Sequence, residues 1–163
     1  MNDKKNLENN TCIKAAAGNS DGDLTQYFDK LKAFRTANDG AMSHLGIQIT
    51  KIEPGFARSE MPYKKELHAN SIGGVHGGII FTLADSVGGT AAATRGNLVT
   101  TSNGSMHFLH AAIQPEKLIG EAVELKSGKN LLVYDVKITT ETGRLIAQAT
   151  MEYFRLEKKI KDL

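Results

Sequence analysis

The sequence predicts a single α+β domain in which a curled antiparallel sheet of about six strands wraps one long buried helix, with a second helix ahead of it. Three observations carry this expectation. The segment from Ile79 to Ala93 is apolar or small on nearly every face, as befits a helix enclosed by protein. Two stretches before it and four after it alternate apolar and polar side chains with the period of a strand. The connections between them are short and rich in turn residues, so consecutive strands should lie antiparallel.

Taken in order, residues 1–23 are rich in Asn, Lys, Gly and Ser and are expected to form a mobile polar tail. From Leu24 to about Asn38, Leu24, Tyr27, Phe28, Leu31 and Phe34 recur at helical spacing, and Asp39-Gly40 ends the helix. Leu45, Ile47 and Ile49 alternate as on a half-buried strand, Pro54-Gly55 makes a turn, and Phe56 to Met61 returns. Tyr63 to Val75, charged and containing Gly73-Gly74, is expected to be a loop. Within the buried helix, Gly88 and Gly89 each cost about 1 kcal/mol relative to alanine, so something should pack too closely there for a side chain. Four strands follow at Val99–Leu109, Leu118–Lys126, Leu131–Thr140 and Leu145–Leu156, with hairpin turns at Ser127–Asn130 and Glu141–Arg144. The domain is thus expected over residues 24–156, with a charged, fraying tail over 157–163.

Composition removes several function classes. Twenty basic and eighteen acidic side chains leave a formal charge of +2, without the basic excess of a non-specific nucleic-acid binder. The one cysteine, Cys12, allows no internal disulfide and no multi-cysteine zinc site, and reads as an incidental thiol. His44, His68, His107 and His110 form no metal-ligand spacing. No apolar run is long enough to span a bilayer, and the N-terminus lacks the apolar core of a secretory signal. A cytoplasmic protein without cofactor or metal is expected, with neither nucleic acid nor membrane as partner.

The chemistry concentrates between Asn70 and Asp85. Asp85 is a carboxylate in an otherwise apolar helix, which suggests a general base or a nucleophile, against the blander role of bonding backbone within the fold. Gly77 and Gly78 open that helix, where backbone N–H groups lack intrahelical acceptors and the dipole favours negative charge. An oxyanion developing at a carbonyl under attack would be stabilised there. His76 could orient a carbonyl or hold the loop, and Asn70 could orient substrate or form a turn.

The run from Asn70 through His76-Gly77-Gly78 to Ala84-Asp85 resembles the signature of hotdog-fold thioesterases of the phenylacetate-degradation type. The resemblance extends from about His44 to Phe154 and takes in GIQITKIEPGFARSEMP and the closing GRLIAQATMEYF. It implies a hotdog fold, an acyl-CoA substrate, Asp85 as central catalytic residue, Gly77 as oxyanion donor, and Asn70 as a substrate- or water-orienting residue. It also points to Thr101 near the attacking water and to the turn holding Lys126, Lys129 and Asn130, where that family tends to place positive charge, for contacts with the CoA phosphates. Arg95 is a further phosphate candidate, and Gly78 a substrate contact. Ser102-Asn103-Gly104-Ser105 is more polar than that family's strand usually is, which leaves the shape of the acyl pocket open.

Gly77 and Asp85 are eight positions apart, about 12 Å along a straight helix, too far to serve one carbon from one chain. A site shared across a homodimer, or across a homotetramer built from such dimers, is therefore expected. Two other readings stand beside hydrolysis: a hotdog dehydratase or hydratase acting on acyl thioesters, and a non-catalytic acyl-CoA-binding module.

Overall fold

The computed structural model describes residues 21–37 and 40–162. Most of the expected N-terminal tail, Cys12 and the Asp39 of the first helix stop lie outside the described residues. The elements are α1 (Asp21–Thr36), α2 (Ala41–His44), β1 (Gln48–Glu53), β2 (Phe56–Pro62), α3 (Lys65–His68) and α4 (Gly77–Ala93), then β3 (Asn97–Phe108), β4 (Lys117–Ser127), β5 (Leu131–Thr140) and β6 (Leu145–Lys159), closed by a 3₁₀ turn over Ile160–Asp162. All strand pairs are antiparallel, in the order β1-β2-β4-β5-β6-β3. The sheet packs on α4 from every strand, which is the hotdog architecture expected from the sequence.

Local chemistry explains the connections. Gly55 and Gly143 turn the β1–β2 and β5–β6 hairpins at φ of +73° and +82°, values that side chains with a Cβ rarely adopt. Period-two burial then puts Ala122 of β4, Tyr134, Val136 and Ile138 of β5, and Met151 of β6 against α4, where Leu83, Ala84, Val87 and Ala91 are fully buried.

Three features depart from the sequence reading. First, α4 is not enclosed on all faces: Gly78 is exposed, and Ile79, Phe81, Thr82 and Asp85 are half-buried. These positions recur at helical spacing along one stripe, which the sheet leaves open. The C-terminal half, from Ser86 to Ala93, is buried throughout, because α1 lies across it. The Tyr27 hydroxyl donates to the Ala93 carbonyl (2.7 Å) and Arg35 Nη2 to the Ser86 carbonyl (3.0 Å). Residues that ascend α1 thus meet residues that descend α4, and the two helices run antiparallel.

Second, the C-terminus does not fray. β6 continues to Lys159, and Ile160 is buried against Leu31 and Ala93 while its N–H donates to the Gly96 carbonyl (3.1 Å). One apolar residue in a charged tail sufficed, because α1 and the end of α4 offered it a dry seat. Third, the stretch read as loop contains the single helical turn α3, pinned by His68. The Lys64 N–H donates to His68 Nδ1 (3.0 Å), and Nε2–H donates to the Leu45 carbonyl (3.1 Å).

Candidate active site

The loop ahead of α4 is organised by Asn70. Its Oδ1 accepts from the N–H groups of Ile72 (3.1 Å) and Gly74 (2.9 Å), an Asx-type turn that draws the chain back toward α4. With Oδ1 so occupied, the Nδ2 amide is left as the side chain's donor. Val75 N–H then bonds the Ala112 carbonyl and His76 N–H the His68 carbonyl, fixing the entry to the helix. Asn70 therefore forms a turn and also lines the adjacent cavity.

His76 is the N-cap of α4, and its Nδ1 accepts from the Gly78 N–H (3.0 Å). The neutral ring consequently carries its proton on Nε2. The Ile79 and Ile80 N–H groups both bond the His76 carbonyl. Of the four amides that open the helix, only that of Gly77 has no acceptor among the described residues. The expectation that Gly77 rather than Gly78 presents an oxyanion donor thus gains a local reason: the histidine already occupies its neighbour.

Gly77 and Asn70 share a cavity of about 310 Å³ whose other walls include Ile80, Phe108, Leu109 and Ile113. A Cβ on Gly77 would lie 3.4 Å from the Phe108 ring, so the ring sits directly over the glycine. Phe108, Ile113 and Ile72 are exposed, and together they give this end of the molecule an apolar rim.

Asp85 stands two turns further along α4, on the open stripe. The Thr101 hydroxyl donates to its Oδ1 at 2.6 Å, while Oδ2 accepts no hydrogen bond among the described residues. Thr101 reaches it from β3 beside a bulge: Thr101 pairs with Tyr153 and Asn103 with Glu152, which leaves Ser102 as the extra residue. Ser102 is held by its own hydroxyl, which donates to the Glu152 carbonyl (3.1 Å). A bulge of this kind re-aims the neighbouring side chain. The glycine of this polar stretch has a packing cause as well, since a Cβ on Gly104 would lie 2.7 Å from the Phe81 ring.

The turn of α4 around Asp85 is gripped from two sides. The Tyr153 hydroxyl donates to the Asp85 backbone carbonyl (3.0 Å), and Arg35 takes the next carbonyl along. This accounts for Gly88, whereas at Gly89 a Cβ would make only ordinary contact. A Cβ on Gly88 would overlap the Tyr153 hydroxyl, and one on Gly89 would lie 3.4 Å from Arg35 Nη2. Burial holds the Tyr153 phenol well above its usual value, so it stays neutral. Neither Arg35 nor Tyr153 was singled out in the sequence; the Gly88-Gly89 pair was the one signal that something approached there.

The remaining candidates separate. Lys126, Lys129 and Asn130 are exposed at the β4–β5 turn, and Arg155 props that turn through the Gly128 carbonyl (3.3 Å). Arg95 does not join them. It is buried in a two-pronged ion pair with Glu124, Nη2 lying 2.7 Å from Oε1, so the phosphate role considered for it is withdrawn. No cluster of His, Cys, Asp and Glu fit to hold a metal occurs among the described residues. Within one chain, Asn70 and Gly77 are thus brought to one cavity, with His76 capping the helix that opens there, and Asp85 with Thr101 to another place.

Residues 72–147 match the model of the Thioesterase superfamily. The chain is 33% identical over 105 residues to Acyl-coenzyme A thioesterase 13 of Homo sapiens, spanning 63% of this chain and 74% of that protein. It superposes on the E. coli PaaI protein from the phenylacetic acid degradation operon with a TM-score of 0.78 at 25% identity, over 83% of this chain and 98% of that one. A hypothetical thioesterase from Streptococcus pneumoniae TIGR4, solved with coenzyme A, superposes with a TM-score of 0.65 at 26% identity, over 69% of this chain and 90% of that one. With the helix-opening His76-Gly77-Gly78, the Asp85–Thr101 pair and the six-stranded sheet already in place, the chain belongs to the thioesterase superfamily, among its PaaI-like hotdog-fold enzymes.

Proposed function

We propose that the protein hydrolyses acyl-CoA thioesters to the free acid and CoA, and that Asp85 is the group that activates water. The observation that carries this is the state of the Asp85 carboxylate. It is half-buried on an otherwise uncharged helix, with Oδ1 tethered to Thr101 and Oδ2 left to take a proton. The carboxylate draws a proton from water as the oxygen attacks the thioester carbonyl. The negative charge that develops on the carbonyl oxygen falls to the unused Gly77 N–H at the α4 N-terminus, with the Asn70 amide beside it. The C–S bond then breaks, and the CoA thiolate leaves with the proton held by Asp85. Thiolate is a competent leaving group, and the chain's own groups suffice for every proton transfer.

The separation along α4 makes the active unit a homo-oligomer in this reading. Asp85 of one subunit meets Gly77 and Asn70 of its two-fold mate, and β3, a twelve-residue edge strand with an exposed polar face, is where two copies would join. Lys126, Lys129 and Asn130 meet the CoA phosphates, and the cavity under Phe108 receives the thioester end of the substrate. The setting is cytoplasmic, where acyl-CoA is available.

The test is a panel of acyl-CoAs that spans short and medium aliphatic and aryl groups, run with wild type and with Asp85→Asn. Thiol release is followed with a chromogenic disulfide. We expect hydrolysis by wild type and a loss of at least about 10³-fold in kcat in the variant, with the far- and near-UV CD spectra unchanged. Consumption of enoyl absorbance without thiol release would favour the hydratase reading instead. Unimpaired turnover in Asp85→Asn would remove that residue from the mechanism.

A further inference from the structure

We propose that Phe108 is a specificity-determining residue for the reaction: its ring, beside the Gly77 amide, restricts the site to acyl groups whose carbon next to the thioester carbonyl carries no branch. The inference rests on the reading of Gly77 as oxyanion donor just given, and deepens it by naming the class of acyl group.

The surroundings of the two donors point this way. In a helix the N–H and the Cα–Cβ direction both lean toward the N-terminus. Whatever stands where a Cβ of Gly77 would point therefore also stands beside the path to its N–H. The Phe108 ring is there, with Cε1 and Cζ each 3.4 Å from that Cβ position, in ordinary contact. The Asn70 amide has an apolar neighbour too. A Cβ on Gly74 would lie 3.7 Å from Asn70 Nδ2 and 3.1 Å from Ile113 Cδ1, so the isoleucine tip covers the glycine beside the second donor. Phe108 closes β3, and Ile113 is held by its bridge to Gly74. Each donor of the cavity thus has one apolar side chain at its flank.

Neither side chain serves the buried core: Phe108 is 54% exposed and Ile113 58%. Large apolar side chains gathered at the mouth of a cavity mark a surface that meets a ligand. The backbone beneath the ring is fixed, since the Leu109 and His110 N–H groups both donate to the Ile146 carbonyl (2.8 and 3.2 Å). Behind the ring the cavity is walled by Val75, Ile80 and Ala112, all buried and so without room to yield. A carbonyl oxygen that accepts from Gly77 lies about 3 Å from the amide nitrogen, and the adjoining acyl carbon is two bonds from that oxygen. That carbon has to pass the ring. A CH2 group presents only hydrogens there, whereas a methyl branch adds a heavy atom between the ring and the buried wall.

The experiment measures kcat/KM by thiol release on matched acyl-CoAs, for wild type, Phe108→Ala and Phe108→Leu. The pairs are butyryl with isobutyryl, hexanoyl with its isomer methylated next to the carbonyl, and phenylacetyl with its α-methyl derivative. The hexanoyl isomer branched at the penultimate carbon is the control for bulk. Wild type should prefer the unbranched member of each pair that it hydrolyses by at least about tenfold, and should treat the control like hexanoyl. Phe108→Ala should bring that preference down to about threefold or less, with Phe108→Leu between the two. A smaller preference in wild type, an equal penalty on the control, or the full preference retained in both variants overturns the proposal. Phe108→Leu decides if Phe108→Ala loses its near-UV CD spectrum, and loss of that spectrum in both overturns the proposal as well. No thiol release from any of the unbranched acyl-CoAs would instead overturn the hydrolase reading, and the proposal with it.

Discussion

At the residue scale, the site depends on small side chains placed where large ones would serve the helix better. Gly88 is the sharpest case, because any Cβ there collides with the Tyr153 hydroxyl. Gly88→Ala should destabilise the protein by about 1–3 kcal/mol despite the better helix propensity of alanine. Thermal melts check this, and adding Tyr153→Phe should recover part of the loss, since it removes the colliding oxygen. Thr101 is the complementary case, an exposed strand residue that gains meaning only from its partner. Its hydroxyl meets Asp85 Oδ1 at 2.6 Å, and a hydrogen bond to a charged group is worth about 1.5–3 kcal/mol. Thr101→Val should therefore lower kcat roughly 10- to 100-fold with little change in KM or melting temperature, measured by steady-state kinetics. Sequence spacing singled out Asp85 and Gly77 because a lone carboxylate and paired glycines stand out in an apolar run. It could not reveal Arg35, which lies 51 positions from Ser86 and reaches its carbonyl only through the antiparallel seating of α1 on α4.

Among the elements, the segment from Tyr63 to Val75 shows how a polar stretch becomes a scaffold. His68 is wholly buried, caps α3 through Nδ1 and bonds the Leu45 carbonyl through Nε2, while its own carbonyl receives the His76 N–H. Burial lowers its tendency to protonate below the ordinary histidine value. The sign follows directly. Protonation favours the unfolded chain, so the stability that His68 contributes is complete above about pH 6.5, the unfolded value, and declines as pH falls through it toward the lower folded value. We expect the melting temperature to drop between pH 7.5 and 5.5, and the drop to be smaller in His68→Gln. A drop of equal size in that variant would assign it to other groups. α1 and β6 make the same point by a different route. Helical spacing identified α1 and alternation identified most of β6, but what they cover was hidden, because burial by a distant segment leaves no mark on local periodicity.

For the whole molecule, the proposed mechanism calls for two copies of the chain. Asp85 with Thr101, and Gly77 with Asn70, occupy separate places on one chain, and β3 ends the sheet with an unpaired edge. If two copies complete each other, mixing Asp85→Ala with Asn70→Ala after subunit exchange should restore activity, each mixed dimer holding one intact site of two. Statistical mixing gives about a quarter of wild-type turnover, read by thiol release. Absence of any recovery, with exchange verified by mass spectrometry, would count against a shared site. What the amino-acid sequence determined by itself was the order and type of the principal elements, the largely apolar central helix, and the Asn70-to-Asp85 run that carries the resemblance to the thioesterases. Those follow from periodicity, turn residues and spacing, all of them local. Only the tertiary structure decided which face of α4 stays open, that Arg95 is committed to Glu124, that Ile160 anchors the C-terminus, and that Arg35 and Tyr153 hold the turn around Asp85. Each of these is a contact between segments far apart in the chain, set by how the sheet curls and how α1 docks, and residue order alone does not encode which of many compatible surfaces will meet.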